Sequence, residues 1–343
     1  MTVFQQAWRI ALTLPIGLAG ALVFRAVDFP APWLTGSMLA VSIATLARAP
    51  LLPLPAAIRQ SVFLLLGVSM GSGITPESAA GILRWPLSLA ILAITVIAMT
   101  AASGAYLTRG AKWSRSTAFF ASVPGALTYV MVVSMRSSAD TRLVIMAQML
   151  RVVALVLVLP VLITTALPHT PRLAGGATSG YWSVLAEIAL GGTLGFLLER
   201  GRFPGGMLFG GMLGASILHL SGGISGPMPQ AILIPCQVVT GCLIGLRFHN
   251  TDLRFLAKAI APSSMSFLIA LSIAAAGSVT VSWALDVPIG QVIVAFAPGG
   301  LEAMTILAFI LGLDPAFVAT HQLARFLGIA LLLPIVARFY LKE

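Results

Sequence analysis

Runs of about twenty apolar residues recur along this whole chain and constrain it more than any other feature. They lie at about 8–27, 32–49, 57–74, 85–108, 141–167, 182–198, 205–221, 229–248, 259–284 and 315–337. Each is close to the ~20 residues with which a helix crosses a ~30 Å hydrocarbon core. Two further apolar segments, 117–135 and 290–312, are interrupted by Pro124-Gly125 and by Pro298-Gly299-Gly300. Only 9% of the 343 residues are charged and 58% are apolar, where an average soluble domain is about 25% charged. Twenty Lys+Arg and ten Asp+Glu cannot cover the surface of a soluble protein this large. A soluble enzyme, a disordered chain and a secreted disulfide scaffold are excluded, which leaves an all-α polytopic membrane protein. Arg9 ahead of the first run resembles the start of a signal peptide. That run belongs to the repeat described next, so it is read as a retained helix.

Nucleic acid is not an expected partner. The net charge is +10, but the basic residues are scattered singly between apolar runs and form no stripe. Membrane topology accounts for them, because cytoplasmic loops collect Lys and Arg. Cys236 and Cys242 stand six positions apart in one apolar run and read as packing residues rather than a disulfide or metal pair.

The chain is duplicated. A single offset of 174 pairs Gly17 with Gly191, Phe29-Pro30 with Phe203-Pro204, Gly36 with Gly210, Met38-Leu39 with Met212-Leu213, and Gly67 and Gly71 with Gly241 and Gly245. The same offset pairs Pro124 with Pro298, Asp140 with Asp314, Gln148 with Gln322, Arg151 with Arg325, and Pro160 with Pro334. Chance apolar similarity would not hold Pro, Asp, Gln and Arg in register without a gap. The repeats are assigned to 1–173 and 174–343, together forming one integrated transmembrane domain.

The Lys/Arg count orients the repeats. With the intramembrane Arg151 and Arg325 set aside, twelve full crossings leave nine basic residues on each side and no bias. If the two Pro-Gly segments instead enter and leave on one side, fifteen lie inside, and only Arg25, Arg84 and Arg172 lie outside. The second arrangement gives five transmembrane helices plus one broken or re-entrant segment per repeat. Five is odd, so the second repeat is inverted, as in many secondary transporters. Both termini are then expected in the cytoplasm, with the protein in the cytoplasmic (inner) membrane of a bacterium.

The broken segments are the first candidate site. Proline removes a backbone donor and glycine relaxes the chain, so a helix breaks there. Backbone freed at membrane depth must be buried in protein or line a wet cavity. Ala297-Pro298-Gly299-Gly300-Leu301-Glu302 opens a new half-helix whose N–H groups favour an anion. Its partner is Val123-Pro124-Gly125-Ala126-Leu127-Thr128. A packing kink is the alternative, and duplication of the break favours a substrate or ion site. Arg151 and Arg325 lie within apolar runs, each three positions after a glutamine, Gln148 or Gln322, on one helix face. His321 joins the second cluster. The arginines either neutralise an anionic substrate, pair with Glu302, or pin the broken segments through their carbonyls. His321 is a candidate proton carrier, with an uncharged, locally satisfied histidine as the alternative. Asp140 and Asp314 read as helix caps, and the Gly-x-x-x-Gly pairs as close helix packing.

Pro32-Trp33-Leu34-Thr35-Gly36-Ser37-Met38-Leu39-Ala40, Ala297-Pro298-Gly299-Gly300-Leu301-Glu302-Ala303-Met304-Thr305, Asp314-Pro315 and His321-Gln322-x-x-Arg325 resemble the bacterial AbrB membrane family over nearly the whole chain. The resemblance implies a duplicated membrane domain. It also brings the family labels of ammonia monooxygenase and of a role in regulating gene expression. The first half departs from the pattern, with Thr128 in place of Glu302 and Met146-Ala147 in place of Thr320-His321, so the halves are not expected to be equivalent at the site.

An oxygenase needs clustered metal ligands. His169, His219, His249 and His321 fall in separate segments, so neither enzymatic activity nor a metal or other cofactor is expected. A nucleotide-binding loop of the Gly-x4-Gly-Lys-Ser/Thr type does not occur. The expected function is a secondary transporter of a small anionic or polar solute, proton- or sodium-coupled, surrounded by the lipid bilayer. A membrane sensor acting indirectly on gene expression is the alternative. Oligomeric state is left open.

Overall fold

The computed structural model describes residues 12–72, 85–166, 180–222, 224, 226–249 and 251–337. Fourteen α-helices occur among them: α1 (Thr13–Ala26), α2 (Pro32–Leu46), α3 (Ala56–Gly71), α4 (Trp85–Arg109), α5 (Arg115–Ser122), α6 (Leu127–Ser134), α7 (Thr141–Ala166), α8 (Tyr181–Arg200), α9 (Gly206–Leu220), α10 (Gln230–Gly245), α11 (Leu253–Leu285), α12 (Ile289–Phe296), α13 (Leu301–Ile310) and α14 (Pro315–Ala337). A short 3-10 turn, Leu246–Phe248, follows α10, and the described residues contain no strand. Trp85–Arg109, Thr141–Thr165, Tyr181–Arg200, Gln230–Phe248, Leu253–Leu285 and Pro315–Leu333 are long and apolar enough to cross a membrane. The chain is thus all-helical among its described residues and consistent with a polytopic membrane protein.

Helix boundaries repeat at the offset of 174: α2 maps onto α9, α3 onto α10 and α5 onto α12, residue for residue at both ends. Asp140 Oδ1 accepts from the amides of Arg142 at 3.0 Å and Leu143 at 3.3 Å, and Asp314 Oδ1 from that of Ala316 at 2.9 Å. Both aspartates therefore cap the free amides of a first turn. Several runs read as full spans give shorter helices. α2 has 15 residues and α3 has 16, about 24 Å at most. They begin where the runs begin, at Pro32 and just after Pro55, and end three residues before them, at Leu46 and Gly71.

The chain folds into two compact units, each assembled from matching parts of both repeats. The first holds α1–α3 and α8–α10, and its helices meet through glycine. A Cβ on Gly67 would run into the Leu208 carbonyl, and one on Gly71 into that of Met212. Reciprocally, one on Gly241 would strike the Leu34 carbonyl, and one on Gly245 would meet that of Met38 at 2.7 Å. Leu208 and Met212 are Leu34 and Met38 shifted by 174. Residue i meeting j′ while i′ meets j is the mark of a twofold relationship, and it confirms these glycines as packing residues.

The second unit holds α4–α7 to Leu159, α11–α13 to Ala308, and α14 from Phe317. Its matching helices α4 and α11 run antiparallel: Ser103 Oγ donates to the Ser266 carbonyl at 3.1 Å, while Thr95 lies against Gly277. α5 and α6 form a hairpin. Ser116 Oγ lies 2.9 Å from Ser138 Oγ, and the Asp140 amide donates to Thr117 Oγ1 at 2.8 Å. The far ends of the segment therefore sit together. A buried cluster of Phe120, Ala121, Val123, Val130, Val144 and Ala147 joins the hairpin to α7.

Candidate functional site

The two breaks come together in the second unit. Val123-Pro124-Gly125-Ala126 separates α5 from α6, and Ala297-Pro298-Gly299-Gly300 separates α12 from α13. Gly125 turns with φ 82° and Ala126 with φ 53°, a left-handed pair that glycine enters freely and alanine reluctantly. A Cβ on Gly125 would stand 3.1 Å from the Gly299 carbonyl and 3.4 Å from Arg325 Nη2. Pro124, Pro298 and Gly299 are buried. Gly300 faces open space: beyond the residue itself and its two chain neighbours, no atom of the described residues lies within 4 Å of where its Cβ would be.

Each break is held from the following long helix, and the same bonds recur in both repeats. In the first, Gln148 Nε2 donates to the Phe120 carbonyl at 3.2 Å, and Arg151 Nη1 to that of Val123 at 3.2 Å. In the second, Gln322 Nε2 donates to Val294 at 3.1 Å, and Arg325 Nη1 to Ala297 at 2.5 Å. Arg151 also donates to the Ala121 carbonyl, and Arg325 to Gln322 Oε1 and, at 2.7 Å, to the Gly299 carbonyl. Both arginines are 5% exposed.

The receiving carbonyls sit at the C-terminal ends of α5 and α12, whose C-caps are Val123 and Ala297. A guanidinium there meets the negative end of the helix dipole and fills acceptors that would otherwise be orphaned. The positive ends, the first turns of α6 and α13, are left at the junction. α6 has no side-chain cap, and Glu302 stands in the first turn of α13.

The residues named from sequence divide accordingly. Pro124, Gly125, Pro298, Gly299, Gly300, Gln148, Arg151, Gln322 and Arg325 form or hold the junction. Glu302 is half-buried and is not within ion-pair distance of Arg325. The guanidinium is held by the carbonyls of the break, so of the alternatives read from sequence the pinning arrangement is the one observed and the pairing with Glu302 is not. The Thr128 backbone belongs to the first turn of α6, and its side chain lies outside the described residues.

His321 is fully buried beside Trp85, Phe296 and Phe317, with ring centroids 6.3, 6.1 and 4.0 Å away. Nδ1 donates to the Phe317 carbonyl at 2.8 Å. Nε2 lies 2.7 Å from Ser88 Oγ, which is also 2.8 Å from the Trp85 carbonyl. A neutral ring accepts the Ser88 proton. A doubly protonated ring donates to Ser88, whose proton then turns to Trp85. Both states find hydrogen-bond partners. Sequence reasoning missed Ser88, which is 233 positions from His321 and carries no local signal. No group of three or more His, Cys, Asp or Glu able to hold a metal occurs among the described residues.

A family model described as "Transition state regulatory protein AbrB" matches residues 33–341. The chain is 28% identical over 355 residues to "Putative regulator AbrB" of Escherichia coli strain K12, covering 99% of this chain and 97% of that protein. It is 25% identical over 359 residues to "Uncharacterized protein YhjN" of Bacillus subtilis strain 168, covering 96% and 91%. With the match running through both repeats and both Pro-Gly breaks, the chain belongs to the AbrB family.

Proposed function

We propose that this protein is a secondary transporter of a small anionic or polar solute across the bacterial cytoplasmic membrane, built as two inverted repeats of five crossings and one re-entrant hairpin. The observation that carries this reading is the approach of Gly125 to Gly299 beside Arg325, within an apolar bundle. Broken backbone at that depth lines a solute path or is buried in protein, and the open space at Gly300 favours the path. Inversion is supported by the antiparallel packing of α4 on α11 and by the paired ends of the α5–α6 hairpin. With the arginines engaged at the C-terminal helix ends, the free amides of α6 and α13 are the groups left to attract negative charge. Glu302 and His321 are the proton-coupling candidates, His321 because hydrogen-bond partners are in place for both of its protonation states. Neither catalysis nor a resident cofactor is part of the reading.

The relative in Escherichia coli is named a regulator, which favours a second reading, a membrane sensor that binds a solute and acts indirectly on gene expression. Proteoliposome flux separates the two. A carrier accumulates solute down an imposed proton or sodium gradient and loses at least about tenfold in rate with Glu302→Gln or Arg325→Ala. Binding without flux in the native protein would favour the sensor, and unchanged flux in both variants would remove these residues from the mechanism.

A further inference from the structure

A second ionisable cluster lies in the first unit and takes no part in the junction. Glu187 of α8 and His219 of α9 meet at 2.6 Å between Oε1 and Nε2. The Glu187 side chain is fully buried and that of His219 is 9% exposed. Glu187 Oε2 has no hydrogen-bond partner among the described residues. An ionised carboxylate left half-solvated in apolar surroundings is costly, and a proton shared with the imidazole neutralises it.

The duplication tests whether the pair merely pins two helices together. Thr13 and Thr45 hold the same positions in the first repeat, 174 residues earlier. α1 and α2 approach backbone to backbone at Gly20 and Gly36, as α8 and α9 do at Gly195 and Gly210. They do so without an ion pair: Thr45 Oγ1 donates to the Val41 carbonyl at 2.8 Å, and Thr13 Oγ1 is unpartnered among the described residues. Close packing of these helices therefore does not require charge, and the ionisable pair in the second repeat calls for another reason.

Its surroundings isolate it. α3 packs on both helices, with Leu64 near Gly192 and Gly67 near Leu208. Arg59, the charged residue of α3, is exposed, and its neighbour Gln60 holds Glu199 at 2.8 Å. Glu199 is about 18 Å along α8 from Glu187. On α10, Cys242 faces the Thr13 carbonyl of α1, and Cys236 is buried. The ionisable group in contact with Glu187 is His219. One carboxylate and one imidazole fall short of the four or more ligands of a metal site.

We propose that Glu187 and His219 form a proton-binding site, separate from the solute site, in which one proton taken from water is held by the two groups as a unit. The partly exposed imidazole is its entrance. Tyr181 and Trp182, both exposed, stand about 9 Å and about 7.5 Å along α8 from Glu187 and are residues of the kind found at a membrane interface, so the proton enters from that end.

The test is NMR of the protein in nanodiscs with 15N-labelled histidine, titrated between about pH 5 and about pH 9. His219 is assigned by its loss in His219→Gln, or by eliminating the other three histidines if that variant does not fold. The native His219 signals are expected to move with pH. Glu187→Gln should weaken proton binding at least about tenfold, and Glu187→Thr/His219→Thr, which restores the first repeat's residues, should still fold. A His219 signal constant over the range, or one that titrates alike with and without the carboxylate, overturns the proposal. The readout requires no flux, so it stands or falls independently of the transport reading.

Discussion

Arg325 Nη2 donates to the carbonyl oxygen of Gly299 at 2.7 Å, tying the middle of α14 to the break between α12 and α13. Shifted back by 174, Arg151 reaches the break between α5 and α6 in the same way, through Val123. A guanidinium is suited to this because its fork of N–H groups bridges two carbonyls at once. An unpaired charge at this depth would cost a few kcal/mol. Here the carbonyls of helix ends, rather than an acid, offset that cost.

Arg325→Ala is expected to lower stability by about 2–4 kcal/mol, because it removes the side-chain donor to the buried Gly299 carbonyl and one of the donors to that of Ala297, and leaves Gln322 Oε1 without its partner. Arg325→Lys should fall between the native protein and the alanine variant, since an ammonium cannot span both carbonyls in fork geometry. Thermal unfolding in detergent checks the order, and a lysine variant as stable as native would contradict it.

Gly125 and Gly300 should separate structure from function. Gly125→Ala places a methyl at φ 82°, 3.1 Å from the Gly299 carbonyl, and should cost about 1–3 kcal/mol. Gly300→Ala adds its methyl to open space and should cost no more than about 1 kcal/mol, the difference between Gly and Ala at an N-cap. If the space is the solute path, flux nevertheless falls in Gly300→Ala. Equal unfolding temperatures for the two variants would count against the geometry of the junction.

Ser88→Ala leaves Nε2 of the buried His321 without its partner and should destabilise the protein by about 1–3 kcal/mol. The measurement is again thermal unfolding, with Ser72→Ala as a control at a half-buried serine whose hydroxyl donates to its own helix at Ser69.

Lys112→Cys and Arg136→Cys should be labelled by a membrane-impermeant thiol reagent from the same face of intact membranes. The ends of the α5–α6 hairpin meet at Ser116 and Ser138, and Lys112 and Arg136 are both exposed. The native Cys236 and Cys242 are buried and should stay silent. Labelling from opposite faces would mean that the segment crosses the bilayer.

Much of the fold is legible in the chain. Apolar runs, Pro-Gly interruptions and capping aspartates each act on their own few residues, and they locate the helices, the two breaks and the starts of α7 and α14. The shortness of α2 and α3 is less legible, because apolar composition continues past Leu46 and Gly71, where the helices end. For Arg325 the residues alone left three partners open, an anionic solute, Glu302 and the carbonyls of the break; its bonds to Ala297 and Gly299 were decided by how α14 packs on the broken segment.

Duplication and the apolar run lengths follow from the order of residues alone, since backbone in a bilayer must satisfy its own hydrogen bonds within each helix. Which helices would gather into each unit, that Gly125 would face Gly299, and that Ser88 and Glu187 would find the histidines His321 and His219, depended on folding. These pairs join residues 32 to 233 positions apart, and a contact of that range is set by how helices pack, which no local pattern along the chain records.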